Sequence, residues 1–531
     1  MRVDMDVVFH GADVIDGTGG ERFRADVGIM SGRIAVIDPD GEDRLSGVRN
    51  VDASGLVLSP GFIDMHAHSD LALLADPEHL GKVSQGCTLE VVGQDGLGYA
   101  PTDDAGMCLL WEQLSAWNGR PQVSPDWRTV GEYLDRLDAG CAVNVAYLLP
   151  HGTIRMATMG WVTARPDDDQ LNAMRRTVAH GMAEGAVGMS AGLSYPPGMF
   201  ADTDELVALC EVVAQYGGYF SPHQRSYGAG ALEGYAEMIE IGRRSGCPVH
   251  LAHATMNFEV NRARAGDLLD LIDASSDVDI TLDSYPYLPG ATSLAALLPS
   301  WAMADGPAEC RRRLSDPVTR RRVRHELDVV GTDGGHGVPV DWTTIEISGV
   351  VRDEHRGLVG MSIAEARGDR SPSDFYMDLL LAEDFATSCI MHVGHEENVR
   401  LIMRHGGHTG GSDGLLVGDR PHPRAWGTFP RYLGHYVRDE KVLSLEECVS
   451  HLTSRAAARL GLADRGLVRE GMVADLVLFD PLTVKDTATF ADPRSPAVGI
   501  PYVMVNGRLA MDDGRRTDVV AGRSVRSRGR A

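Results

Sequence analysis

From about residue 60 to residue 464, short apolar runs alternate with longer segments whose apolar positions recur with a period near 3.6. The runs read LVLSPGFIDMHAHSD, TLEVVGQDG, VNVAYLLPHG, AVGMSAGL, GYFSPHQRS, PVHLAHAT, DITLDSYPY and TGGSDG. The intervening segments have helical faces: Leu171, Met174, Val178 and Met182 fall on one side, as do Leu206, Leu209 and Val213. The second of these segments starts in DTDE and stops at Gly217-Gly218, which are ordinary start and stop signals. Eight strand–helix units predict an α/β protein with a (β/α)8 TIM-type barrel. A doubly wound open sheet fits less well, because no GxGxxG follows the first strand.

The two ends of the chain have a different texture. Val7 to Ile15 and Arg33 to Ile37 are strand-like runs between Gly and Asp turns, and RGLVREGMVADLVLFD and PYVMVNGRLAMDDG repeat that texture near the C-terminus. The expectation is one small β-sandwich domain assembled from residues 1–59 and 465–531, beside a barrel of residues 60–464. The link between strands seven and eight is too long for an ordinary connection. Residues 291–385 are therefore expected to form an inserted lid or subdomain, and the Arg-rich tail at 515–530 is expected to fray.

Charge and cysteine usage narrow the class. A formal net charge of −25 over 531 residues argues against nucleic acid or an anionic membrane as partner. No apolar run approaches the ~20 residues of a membrane span, and the opening MRVDMDVVFHGADVIDG carries acids within its apolar stretch, unlike a signal peptide. The eight cysteines form no CxxC pair, which fits reduced thiols in a cytoplasmic protein. A homo-oligomer is compatible with all of this.

Polar residues cluster at the C-terminal ends of the runs, where barrels of this type place their chemistry. These are His66 and His68 after strand one, Asp95 after strand two, His151 after strand three, His223 after strand five, His253 after strand six and Asp413 after strand eight. Singly, each reads equally well as a hydrogen-bonded core residue or a turn former. Together, converging on one end of a barrel, they would desolvate one another at large cost without a cation. Imidazole with carboxylate suits Zn²⁺ or a similar first-row divalent ion. His180, His250, His325 and His435 lie outside this pattern and are read as structural.

PGFIDMHAHSD after a short β-unit resembles the amidohydrolase superfamily. HGTIR, GAVGMSAGLSYPPGMFADTDEL, SPHQRS, DSYPYLPGAT, GSDG and HPRAWGTFPRYLGHY narrow the resemblance to the D-aminoacylases, the N-acyl-D-amino-acid deacylases. So does LTSRAAARLGLADRGLVREGMVADLVLFD, and the likeness spans nearly the whole chain. It implies metal-dependent hydrolysis of a C–N amide bond, with a small acylated amine as substrate. Asp413 would be general base and then general acid. Asp95, His223 and His253 would form the tight metal site, with His66, His68 and Asp413 forming a weaker one. His151 or Tyr287 would help hold the tetrahedral oxyanion.

Two departures from that family stand out, and one feature sets the chain apart from other amidohydrolases. Many amidohydrolases bridge two metals with a carboxylated lysine on strand four, but no lysine lies between Lys82 and Lys441. D-aminoacylases carry a zinc-binding cysteine in a Gly-Asn-Cys-Gly turn, where this chain reads Gly93-Gln94-Asp95-Gly96. The harder carboxylate keeps Zn²⁺ as first expectation and opens the site to Mn²⁺, Co²⁺ or Fe²⁺. The family's carboxylate-gripping lysine is replaced by Thr255, so either Arg225 takes over or the substrate lacks a carboxylate there. A cyclic amide or another acylated amine is thus the alternative substrate, and a metal-binding protein with a decayed site is the reading from a different class. Trp301, Trp426 and Phe429 could pack an acyl chain or simply the core.

Overall fold

Residues 5–39, 41 and 45–527 are described by a computed structural model. At its centre is a sheet of eight parallel strands in chain order: β1 (Phe62–Asp64), β2 (Cys87–Val92), β3 (Asn144–Pro150), β4 (Gly188–Gly192), β5 (Tyr219–His223), β6 (Val249–Leu251), β7 (Ile280–Ser284) and β8 (His408–Gly410). The ring closes between β1 and β8, where Met65 N donates to Gly410 O at 3.1 Å and Ala67 pairs with Gly414. Every residue of β2, β3 and β4 is buried, as parallel strands covered on both faces must be. The helices start where their capping residues dictate. Asp167 and Gln170 form a capping box on Asp168–Ala183, and Asp202 accepts from Glu205 N at the head of Thr203–Gln215.

Both ends of the chain enter one nine-stranded mixed sheet. Its first strand, Met5–Val14, shifts register between Phe9 and Ala12. The shift lets it pair with Gly47–Asp52 through its first half and with Val57–Pro60 through its second. Val57–Pro60 then runs antiparallel to Leu476–Phe479, which ties the N-terminal strands to the C-terminal ones immediately before the barrel begins. The Arg-rich tail is docked rather than frayed as far as Ser527. Val145 N donates to Arg523 O, Val525 N to Val145 O, and Arg526 pairs with Asp138 at 3.1 Å. Its last expected residues, 528–530, lie outside the described ones.

Between β7 and β8 the chain builds a separate unit. Ser388–Met391 is the middle strand of a three-stranded antiparallel sheet, flanked by Gly290–Ser293 and Ile345–Gly349. This strand lies past residue 385. Leu294, Leu297, Val323, Phe375, Tyr376 and Leu380 pack into a core of their own beneath the helices. No described helix is long and apolar enough to cross a membrane.

Lys82, fully buried on the short helix Leu80–Val83, locks β1, β2 and β8 together. Its Nζ lies 2.6 Å from Asp64 Oδ2, 2.9 Å from Glu90 Oε1 and 2.8 Å from Ser412 Oγ. Burial would raise the Glu90 carboxyl, but Lys82 and then His79 hold it down at about 2. Asp64 in turn accepts from the backbone N–H groups of His66 and Ser412. Removing a single partner strands buried charge, so Lys82→Met is expected to cost about 3–5 kcal/mol. Urea unfolding of the two proteins side by side measures it, and a midpoint unchanged by the substitution contradicts this account of the cluster.

Candidate metal centre

The turn after β2 places Asp95 at the mouth of the barrel with φ 55°, in the left-handed region. Gly96, at φ 68°, follows it, and a Cβ there would sit 2.5 Å from Gly192 N; this close approach to the end of β4 requires glycine. Ser190 on β4 fixes the turn further, accepting from Gly96 N at 3.0 Å and donating to Gly93 O at 2.6 Å. His253 and Asp413 also have positive φ, 30° and 46°. Three chemical side chains held in sparsely populated backbone conformations signal a site over-determined by its surroundings.

Four imidazoles surround the Asp95 carboxylate. Its Oδ1 lies 3.5 Å from both His66 Nε2 and His253 Nε2, and its Oδ2 lies 3.5 Å from both His68 Nε2 and His223 Nδ1. Asp413 Oδ1 completes the group at 3.1 Å from His68 Nε2 and 3.7 Å from His66 Nε2. The donors fall into two sets that share Asp95: His66, His68, Asp95 and Asp413, and Asp95, His223 and His253. His66 Nδ1, His66 Nε2 and Asp95 Oδ1 are buried without any hydrogen-bond partner.

These observations fit divalent cations. Donors placed tetrahedrally at about 2.1 Å from an ion stand about 3.4 Å from each other, close to the separations seen around Asp95. Hydrogen bonding alone would have drawn them nearer. Burial works against a charged His68. Even so, the bond to Asp413 and then Asp95 hold it up at about 10. Against the same burial, His66, His223 and His253 keep the Asp95 carboxyl well below the usual range.

Neighbouring groups orient the rings. Ser194 Oγ occupies His223 Nε2 at 2.6 Å, which leaves Nδ1 toward Asp95. Tyr227 Oη occupies His253 Nδ1 at 3.0 Å, which leaves Nε2 toward Asp95. Asp283 on β7 accepts from His253 N at 3.0 Å, meets His250 Nε2 at 3.1 Å and faces His66 Nδ1 at 3.7 Å. Such partners fix ring orientation and ligand basicity. Arg424 Nη2 lies 2.8 Å from Asp413 Oδ2 and is fully buried, and its Nε and Nη1 have no partner. Burial disfavours a charged Asp413, but Arg424 and then His68 hold its carboxyl well below the ordinary range.

A cavity of about 70 Å³ opens above this centre. Thr255 lines it, with its Oγ1 donating to Asn257 Oδ1 at 2.7 Å. Three expected site residues are turned away. His151 opens the helix His151–Met159 and bonds Glu205 Oε1 at 2.8 Å, in a buried cluster with Arg155. Arg225 is spent on Glu237, 2.7 Å from its Oε2, and on the carbonyls of Met199 and Ala201. Tyr287 Oη reaches Asp486 at 3.4 Å while Arg431 covers its ring.

The three aromatic residues considered for an acyl chain are elsewhere too. Trp301 Nε1 donates to Glu326, Phe429 stacks on Phe62 at 5.6 Å between centroids, and Trp426 packs near Gly81. The walls are instead Trp117, Tyr195, Tyr227, Phe258, Tyr285 and His336. Tyr195 lies three residues past β4 and Tyr285 is the first residue past β7, positions that mark them in the sequence. Trp117 and His336 come from distant segments and carry no such mark.

A family model described as "Amidohydrolase family" matches residues 49–314 and 374–511. The D-aminoacylase of Alcaligenes xylosoxydans xylosoxydans is 36% identical over 520 residues, 98% of this chain and 97% of its own. The N-acyl-D-glutamate deacylase of the same organism is 34% identical over 519 residues, covering 96% and 94%. Among solved structures, the N-acyl-D-glutamate deacylase of Bordetella bronchiseptica, complexed with zinc and a phosphonate mimic of the tetrahedral intermediate, superposes with a TM-score of 0.82. It is 31% identical and covers 99% of this chain and all of that one.

Proposed function

We propose, from the premise that this chain belongs to the amidohydrolase family, that it hydrolyses the amide bond of N-acyl-D-amino acids at a divalent metal centre built around Asp95. The observation that carries this reading is the single carboxylate encircled by four imidazoles at 3.5 Å, with Asp413 beside them.

Asp95, His223 and His253 would hold one ion, and His66, His68, Asp95 and Asp413 a second. Zn²⁺, present in the Bordetella relative, is the ion expected, and carboxylate donors admit Mn²⁺, Co²⁺ or Fe²⁺ as well. Bound there, the ion supplies Lewis acidity and lowers the pKa of water toward neutrality. The remaining work falls to side chains of this protein. Arg424 holds one Asp413 oxygen and leaves the other facing the centre, where it takes the proton of the attacking water and passes it to the departing nitrogen. Tyr227 and Ser194 keep the imidazoles turned inward. The lid unit, through His336, narrows access by bulk water.

With Arg225 held by Glu237, a substrate carboxylate would be met by neutral donors of the cavity wall, such as the Tyr285 hydroxyl. Thr255 and Asn257 are a neutral pair in the same cavity and favour the second reading, a substrate without that charge. Rates on N-acetyl-D-leucine, its L enantiomer and its D-carboxamide decide between them. The D acid is expected to be the best substrate, with the carboxamide slower by at least about tenfold, the value of one charge-assisted hydrogen bond. Equal rates on acid and carboxamide favour the neutral substrate, and no turnover on any acyl-D-amino acid overturns the proposal.

A further inference from the structure

Beside the metal centre lies a second and larger cavity, of about 330 Å³, within the size range of small-molecule sites. It lies between the barrel mouth and the lid unit and opens to solvent on one side. Leu97, Leu114, Leu298 and Met303 make its interior apolar, and Glu112 and Arg120 stand exposed at its rim. Trp117 and Tyr195 line both this cavity and the one over the metal centre. Their rings meet edge to face, 4.9 Å between centroids, as a wall one ring thick. Trp117 also touches the His68 ring at 5.0 Å and Tyr195 the His223 ring at 4.7 Å, so the wall stands directly against the proposed ligands. A single hydrogen bond from the lid, Tyr195 Oη to Thr292 Oγ1 at 2.9 Å, holds it shut.

The direction of the substrate follows from Asp413. The departing nitrogen must lie by that carboxylate, with the amino-acid half on the same side, against Tyr285 and Ala291 of the cavity wall. The acyl half then points toward the other ligand set, where Tyr195 lies against the His223 ring and Trp117 packs on Tyr195. We propose that the second cavity is the acyl subsite of this enzyme, and that the physiological substrate carries an apolar acyl chain of about eight carbons rather than acetyl, a length matched to the cavity volume. The chain enters as the two rings turn aside and Tyr195 releases Thr292. This inference rests on the deacylase reading above and extends it to a substrate class.

The test measures kcat/KM for the N-acetyl, N-butanoyl and N-octanoyl derivatives of one D-amino acid. Burial of each further methylene is expected to raise kcat/KM by about fourfold, so that octanoyl far exceeds acetyl. Filling the cavity with Ala296→Phe, on its half-buried wall, should return octanoyl to the acetyl rate and leave acetyl unchanged. Arg120→Trp, which fills the cavity from its exposed rim on the barrel side, is the second filling variant, should the first alter the lid. Three results would overturn the inference: acetyl cleaved as well as octanoyl, octanoyl indifferent to both filled variants, or no turnover at any chain length. The first two leave the deacylase reading standing. The last removes both.

Discussion

Asp95→Ala is expected to empty the tight metal site and to abolish activity with it. Asp95 is the donor common to both ligand sets, so its loss opens both at once. His223 and His253 alone are two donors, too few for a tetrahedral site, whereas His66, His68 and Asp413 keep three and can still hold an ion loosely. Metal content of purified protein should drop by about one ion per chain, and kcat/KM by at least about a thousandfold. Alanine at φ 55° adds about 1–2 kcal/mol of backbone strain, which confuses the comparison. Asp95→Asn avoids it, because asparagine tolerates the left-handed region while removing the charge. Asp95→Cys restores an anionic ligand and is expected to keep metal, shifted toward softer ions such as Zn²⁺. If the alanine variant keeps its full complement of metal, Asp95 is a turn residue and the centre belongs to the histidines and Asp413.

The barrel is legible in the sequence because its strands are short apolar runs and its helices have clear faces. The metal donors are legible because each lies within the few residues following a strand, where the chain still points at the barrel mouth. Legibility ends where the chain turns. His151 follows β3 at once but is the first helical residue, so its ring swings out to Glu205. Two positions after His223, strand alternation no longer holds, and Arg225 faces Glu237. Tyr285, the first residue past β7, lies in the pocket, whereas Tyr287, two residues on, has already left it. Thr255 is two residues past His253 and stays in the pocket, since the left-handed turn at His253 redirects the backbone. Arg424, the cation that holds Asp413, sits eleven residues beyond it on the helix Arg424–Arg431, and only the fold brings the two together. The tail is illegible for a related reason. Its arginines suggest solvent, but Asp135 and Asp138 on the barrel supply counter-charges to Arg526.

Asp413→Asn is expected to lower kcat by about 10²–10⁴-fold while metal remains bound. Asparagine keeps the shape and accepts φ 46°, and Asp95, His223 and His253 stay intact as one ligand set. What disappears is the group that takes and returns the proton. A second effect accompanies the first. Arg424 is fully buried, and Asp413 is the only carboxylate paired with it among the described residues. An amide oxygen in its place leaves the guanidinium charge uncompensated, at a cost of about 3–5 kcal/mol in stability. That cost makes the rate loss ambiguous by itself, since a loosened site also works slowly. Arg424→Met in the same chain removes the stranded charge and should recover much of the stability. The two losses then separate. If Asp413 carries the proton, the double variant unfolds later in urea than Asp413→Asn alone but is no faster in turnover. If stability and rate return together, Asp413 acts by holding the site in shape, and the proton passes through another group.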